Sequence, residues 1–196
     1  MYEIIYGVVP CEKISLSEAE LTARLGRPAS ESDTEVLRAK KELISSITAK
    51  YAAVRVEILE CKKGEVKLSP FSLKSLDAAK YFSSCDATYV FMATLGIEAD
   101  RLIMKKKHIS IFEGFLYDAV ASAMIEAVCD AAEREIRCGG EKTKNRFSPG
   151  YGDVPFSLQK DFIKLLSADK LMGISLTESM LMIPQKTVSA FIGRLK

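Results

Sequence analysis

Between Ser110 and Gly139 runs an unbroken helical pattern of about 25 residues, roughly 38 Å at 1.5 Å per residue, and any fold has to be built around it. Ser110-Ile111-Phe112-Glu113 reads as a capping box, with Arg137 and Gly139 marking the far end. Leu116, Val120, Ala123, Ala127 and Ala131 recur at helical spacing and form a core stripe. Phe115, Ala119, Ser122 and Glu126 form a second stripe, rich in small side chains. Small side chains let another segment of the chain come close, which leaves position 126 half-buried. A helix this long needs a large partner surface. The 196 residues, 48% hydrophobic and 28% charged, supply one as a single domain spanning 1–196.

Shorter elements surround this helix. Ser17-Glu18-Ala19-Glu20 opens a short helix that stops at Gly26, and Ser32-Asp33-Thr34-Glu35 is a second box before an apolar stripe through Val36, Leu43 and Ile47. From Ala53 the period becomes two: Val54, Val56 and Ile58 face one way, Arg55 and Glu57 the other. Lys62-Lys63-Gly64 turns that strand into Glu65–Leu68, which makes a hairpin. Leu73 to Ser84 reads as helix, and Thr88 to Leu95 as a strand covered on both faces. Ser157 is placed to cap a short helix carrying Phe162, Ile163, Leu165 and Leu166. Leu176 to Ile183, a turn at Pro184-Gln185-Lys186, and Val188 to Ile192 suggest a C-terminal β-hairpin. Strands and helices mixed without regular βαβ alternation indicate an α+β fold: a mainly antiparallel twisted sheet flanked by helices.

Several function classes fall away. A net charge of +2 does not argue for nucleic acid or an anionic membrane, and the aromatics Phe147 and Tyr151 near Lys142, Lys144 and Arg146 are weak support for an RNA surface. No apolar run approaches the roughly 20 residues that cross a bilayer, and the start Met1–Tyr6 lacks the basic region of a signal peptide, so a cytoplasmic protein is expected. Five widely spaced cysteines (Cys11, Cys61, Cys85, Cys129, Cys138) and a single histidine, His108, form no close ligand pair, so no metal site is expected and the thiols read as small buried hydrophobes. Lys105–His108 reads as a solvated helix end, the other reading being a docking patch for an acidic partner. No nucleophile pairs with a base, and no catalytic residue is expected.

The chemistry concentrates in Arg146-Phe147-Ser148-Pro149-Gly150-Tyr151-Gly152-Asp153-Val154-Pro155, with two prolines and two glycines in ten residues. Such a segment costs little entropy to order, and its glycines let a ligand touch backbone. It offers a guanidinium fork for a carboxylate, bare N–H and C=O groups, and an aromatic face. The other reading is a rigid crossover whose arginine pairs with a nearby acid. Arg146-x-x-x-Gly150-Tyr151, followed by Pro155, resembles the signature of the activation domain of cobalamin-dependent methionine synthase. Leu176-Thr177-Glu178-Ser179-x-x-Met182-x-Pro184 and Val188-Ser189 resemble a second motif of that family, at a similar separation. The resemblance is strongest over 85–191.

The resemblance implies a stand-alone S-adenosylmethionine-binding subunit that serves reductive reactivation. It positions the methyl donor so that cob(II)alamin on a partner, a corrinoid-binding methionine synthase polypeptide, is remethylated with an electron from flavodoxin or a similar donor. On this analogy Arg146 holds the methionine carboxylate, backbone at Ser148 and Gly150 contacts the ligand, Tyr151 packs over it, and Glu126 meets its positive end. Cobalamin enters only through the partner, since the Asp-x-His-x-x-Gly type signature that carries it is absent here. The chain is then a component of a methyltransferase, inactive alone. Where the family has Pro-x-His-x-Glu-Lys, this chain has Pro155, Ser157, Gln159 and Lys160, and a ligand-side tyrosine of the family lies beyond Lys196. Two other functions remain open: reactivation of another corrinoid methyltransferase, and a binding protein that kept the fold without the ligand. Glu178 either pairs across the hairpin, as with Lys186, faces solvent, or sits in a cofactor-facing network.

Overall fold

The computed structural model describes residues 2–137 and 140–196. A six-stranded sheet runs in the order β4-β3-β2-β5-β8, with β1 alongside β2, and every pairing is antiparallel. Its strands are β1 (Ile5–Val8), β2 (Lys50–Lys62), β3 (Glu65–Leu68), β4 (Ser72–Lys74), β5 (Cys85–Thr94) and β8 (Thr187–Leu195). A separate two-stranded hairpin joins β6 (Ser175–Leu176) to β7 (Met182–Ile183). The helices are α1 (Glu18–Leu25), α2 (Thr34–Ser46), α3 (Leu76–Phe82), α4 (Ile97–Ile109), α5 (Ile111–Ile136), α6 (Gln159–Leu166) and α7 (Ala168–Met172). The α+β architecture is the one expected.

Helices cover both faces of the sheet, which is why β5 reads as a continuous apolar run. Val54, Val90 and Phe191 stand in one cross-strand row and pack with α3, α6 and α7. Ala53 and Phe91 point the other way, into a core built on α5 with α1, α2 and α4. Burying each of these larger side chains stabilises the fold by about 1.5–3 kcal/mol. The α5 core stripe lies wholly in that second core. Its cap is the one expected, Ser110 Oγ accepting from the Glu113 N–H at 3.0 Å. The small-residue stripe faces two incoming segments. Lys186 Nζ meets Ser122 Oγ at 2.8 Å and Asp118 at 3.0 Å, and Arg146 reaches Glu126 one turn further on.

Local competition overturns several finer expectations. In the second box, Asp33 rather than Ser32 is the N-cap residue, and its carboxylate is spent on the Ser30 N–H at 3.3 Å and on Arg27. The stretch from Leu73 begins as strand β4, because Val66 and Leu73 pair across the sheet; the helix starts only at the cap Ser75, which accepts from Ala78 N–H at 2.8 Å. Ser157 caps nothing: a 3-10 turn at Phe156–Leu158 leads into α6 with Leu158 at its boundary. The C-terminal hairpin is present, but it turns at Thr177–Leu181, while β8 leaves it to pair with β5 in the main sheet.

Lys106 is buried rather than solvated, bonded to Glu42 at 2.7 Å and lying over the Tyr117 ring at 4.4 Å. Lys186 pairs with Asp118 instead of Glu178, which is exposed. Cys85 and Cys129 are buried as expected, whereas Cys11 and Cys61 are exposed. Cys138 and Gly139 lie outside the described residues. Among the described residues, no helix is long and apolar enough to cross a membrane.

Candidate functional site

The Arg146–Pro155 segment grows out of the edge of the sheet. Phe147 exchanges two backbone hydrogen bonds with Phe191 of β8, at 2.9 and 2.8 Å, and its ring stacks on Tyr81 at 4.7 Å. Tyr151 continues that ladder at 6.3 Å from Phe147 and is 59% exposed, so the stack ends in an open aromatic face. The Tyr81 hydroxyl donates to the Asn145 carbonyl at 2.7 Å and accepts from the Gly193 N–H at 2.9 Å, which braces the start of the loop. Burial pushes this phenol well above its usual range.

Within the loop the chain closes on itself. The Gly150 N–H donates to Val154 C=O at 3.0 Å, and the Tyr151 N–H to Ser148 C=O at 3.2 Å. These amides are therefore not the bare donors the sequence suggested. Gly150 has φ +91° and Gly152 φ +55°, backbone that side-chain-bearing residues rarely adopt. Asp153 then fastens the turn to α3. Its carboxylate accepts from the Ser75 hydroxyl, from the Leu76 N–H at 2.6 Å and from the Asp77 N–H at 3.2 Å. Three donors at a helix N-terminus form an anion site, here filled by the protein's own side chain.

That anchor has a pH signature. Hydrogen bonds from Ser75 and Leu76 hold the Asp153 carboxyl below its ordinary value of 3.8. A depressed carboxylate contributes stability above its unfolded pKa and loses it as pH falls through the folded one. The difference in Tm between wild type and Asp153→Asn should therefore be widest near pH 7 and close below about pH 4, the ordinary carboxylate range. A gap independent of pH in scanning calorimetry would assign the cost to packing instead.

Arg146 lies 20% exposed against α5. Its Nη2 bonds Glu126 at 2.9 Å, and its Nη1 bonds Asp130 at 2.9 Å and Glu133. Residues 126, 130 and 133 share one helix face by spacing, so the partners were readable in the sequence, although only Glu126 was singled out. Arg24 approaches Glu126 at 3.8 Å while bonding Glu20 at 3.2 Å, and Arg137 bonds Glu133 at 2.7 Å, so the acids behind Arg146 have cationic partners of their own. Burial opposes the Arg146 charge, but the carboxylates of Asp130 and Glu133 outweigh it and raise its pKa. Of the five N–H groups of a guanidinium, three have these partners. Arg146 therefore pairs with nearby acids, as the rigid-crossover reading expects, and these bonds do not use all of its donors.

Glu126, Arg146, Ser148 and Tyr151 converge on one cleft of about 250 Å³, whose other wall includes Gln159, Met182, Thr187 and Ser189. Gly150 does not line it; it shapes the loop behind. Gln159, Thr187 and Ser189 were not among the expected contacts, although Met182 and Ser189 belong to the second motif. The first half of that motif has another task. Thr177 Oγ1 accepts from the Leu181 N–H at 3.0 Å and closes the hairpin turn. A second recess of about 630 Å³ lies by α6 and α7, lined by Lys160, Lys164, Ser167, Lys170, Thr177 and Glu178. Its lysines are exposed, and neither Arg146 nor Tyr151 reaches it.

Comparisons with known proteins place the chain in a family and a fold. A search of curated proteins finds no match. Among solved structures, the chain resembles a crystal structure of the MetH reactivation domain bound to AdoHcy (S-adenosylhomocysteine). The TM-score is 0.72 at 14% identity, over 97% of this chain and 78% of that one. The likeness is one of fold. A sequence family described as the activation domain of vitamin B12-dependent methionine synthase matches residues 27–194, most of the chain and both motifs included. The chain belongs to the family of activation domains of vitamin B12-dependent methionine synthase.

Proposed function

We propose that this chain binds S-adenosylmethionine in the cleft between α5, the Arg146–Pro155 loop and β8, and serves the reactivation of a corrinoid-binding methionine synthase polypeptide. The observation that carries the reading is the convergence of Glu126, Arg146, Ser148 and Tyr151 on one open cleft in a member of this family. The AdoHcy held by the structurally similar reactivation domain supports the same ligand class. At about 250 Å³ the cleft is smaller than the roughly 300–1,000 Å³ of pockets that enclose a drug-sized ligand. A ligand lying along it keeps one side exposed, as methyl transfer to another protein requires.

The residues take positioning roles. The free N–H groups of Arg146 receive the methionine carboxylate, Glu126 faces the positive end, and the exposed ring of Tyr151 covers the ligand. Ser148 contributes backbone contact, and Gly150 sets the turn that presents it. The acids behind Arg146 hold the guanidinium in one orientation before the ligand arrives. Cobalamin on the partner would supply the methyl acceptor once reduced by an electron from flavodoxin or a similar donor, and S-adenosylhomocysteine would remain in the cleft. The chain's part is to hold the donor still and leave its methyl uncovered.

Two measurements test this. Calorimetric titration with S-adenosylmethionine should show one site. Mixed with a cob(II)alamin-form synthase polypeptide, S-adenosylmethionine and a low-potential reductant, the protein should restore the methylcobalamin absorbance. Absence of recovery, under conditions where the activation domain of a full-length synthase methylates its own cobalamin, would sink the reactivation role. Recovery of a different corrinoid protein alone would move the assignment to another corrinoid methyltransferase.

A further inference from the structure

The cleft contains a polar side chain that the fold itself does not use. Gln159, the first residue of α6, is 3% exposed and forms part of the cleft wall opposite the α5 acids. Its Oε1 is shielded from solvent and has no hydrogen-bond partner among the described residues. Buried polar groups are almost always satisfied, because an acceptor stripped of water and given nothing back is destabilising. Of its polar neighbours in the cleft, Arg146 and Glu126 hold each other, and Thr187 donates to Thr94 at 2.8 Å. Among the fully buried side-chain atoms without a partner in the described residues, Gln159 Oε1 is the one that belongs to this cleft.

We propose that Gln159 recognises the base of the adenosyl group by pairing with its amino edge. The inference rests on the reading of the cleft as an S-adenosylmethionine site. A primary amide offers one acceptor and one donor side by side. The edge of adenine offers the complement, an exocyclic N–H donor next to a ring-nitrogen acceptor, and glutamine meets that edge with two hydrogen bonds in other settings. The ammonium of the ligand is a poorer match. It has donors only, and the Glu126 carboxylate in the same cleft suits it better than a neutral amide. Terminal amide torsions are broad, so a ligand entering the cleft turns the amide toward itself without a backbone change. Because Gln159 stands at the start of α6, the base is read from a helix and not by the loop.

The test compares S-adenosylhomocysteine with its analogue in which hydrogen replaces the 6-amino group of the base, so that no exocyclic N–H remains for the amide oxygen, by calorimetry. Wild type should prefer the adenosyl compound by about tenfold or more, since a site built around a hydrogen bond rejects the analogue that lacks it. In Gln159→Met, close in volume and without the amide, adenosyl affinity should fall about tenfold and the preference shrink to within about twofold. Gln159→Leu supplies the same readout should the methionine variant not fold. A purely structural role for Gln159 would weaken both ligands alike, so an unchanged preference in the variant overturns the inference alone. Failure of wild type to bind either compound overturns the reading of the cleft, and the inference with it.

Discussion

Arg146→Ala should lose both affinity and stability, and the two losses should be separable. Affinity for S-adenosylmethionine should drop by about 1.5–3 kcal/mol, the scale of a charge-assisted hydrogen bond to a charged group, which is roughly 10- to 150-fold in Kd. Stability should drop by about 2–3 kcal/mol, less than for a fully buried pair because the guanidinium is 20% exposed. The larger share of that loss is assigned to Glu133, only 8% exposed, which keeps Arg137 but loses its closest partner. For a chain of this size such a loss lowers Tm by roughly 4–12 °C. Calorimetric titration well below the transition, with thermal unfolding beside it, separates the effects. Arg146→Lys should recover part of the stability, since an ammonium still neutralises the acids. It should recover less of the affinity, because it lacks the planar fork. Equal binding by wild type and Arg146→Ala would remove the arginine from the site.

The double duty of Arg146 follows from where the loop is tied. The segment is held to β8 through the Phe147–Phe191 pair and to α3 through Asp153, so it is fixed near both ends before any ligand arrives. Pre-fixing lowers the ordering cost that binding would otherwise carry. The acids of α5 extend the same logic to the arginine side chain. Removing them one at a time therefore acts through Arg146, and Asp130, more exposed than the other two, is the mildest place to begin.

The fold is legible in the sequence where one local signal decides the structure. The α5 helix was legible because its cap, its stripe and its length agree, and β5 because a continuous apolar run has few alternatives. The half-burial of Glu126 followed from the small stripe alone. Reading failed where two local signals compete and a distant partner chooses. Ser72–Lys74 became strand because β3 lies beside it, with Val66 opposite Leu73, a fact no window around Leu73 contains. Val188–Ile192 joined β5 rather than β7 for the same reason. Lys106 looked solvated as part of a basic run, yet Glu42, distant in sequence, draws it inward. At the site, residue types were legible and their partners only partly so. For Arg146 the sequence leaves a ligand and a nearby acid both open, and the acids at 126, 130 and 133 stand at helical spacing to receive it. Gln159 registered as a departure from a motif, whereas its burial without a partner is visible only in three dimensions.

Gly150→Val should separate loop geometry from contact chemistry. At φ +91° a β-branched residue is strained by about 1–3 kcal/mol. Its Cβ would also stand 2.9 Å from Phe156 Cδ2, so the ring must move. Phe156 is 42% exposed and has room to give, which limits that second cost and puts the total at about 3 kcal/mol. The damage should stay local, because Asp153 still ties the turn to α3 and Phe147 still pairs with β8. Circular dichroism should keep its native shape while S-adenosylmethionine affinity falls about tenfold or more, as Ser148 and Tyr151 are displaced from the cleft. Gly26→Val is the matched control. It meets the same backbone conflict at φ +67°, with nothing within 4 Å of its Cβ and no part in the cleft. It should lose stability and keep its affinity. If both variants lose affinity in proportion to stability, the effect is one of global unfolding. If Gly150→Val binds as wild type does, the loop does not present the ligand site, and the cleft walls on α5 and α6 would have to hold the ligand without it.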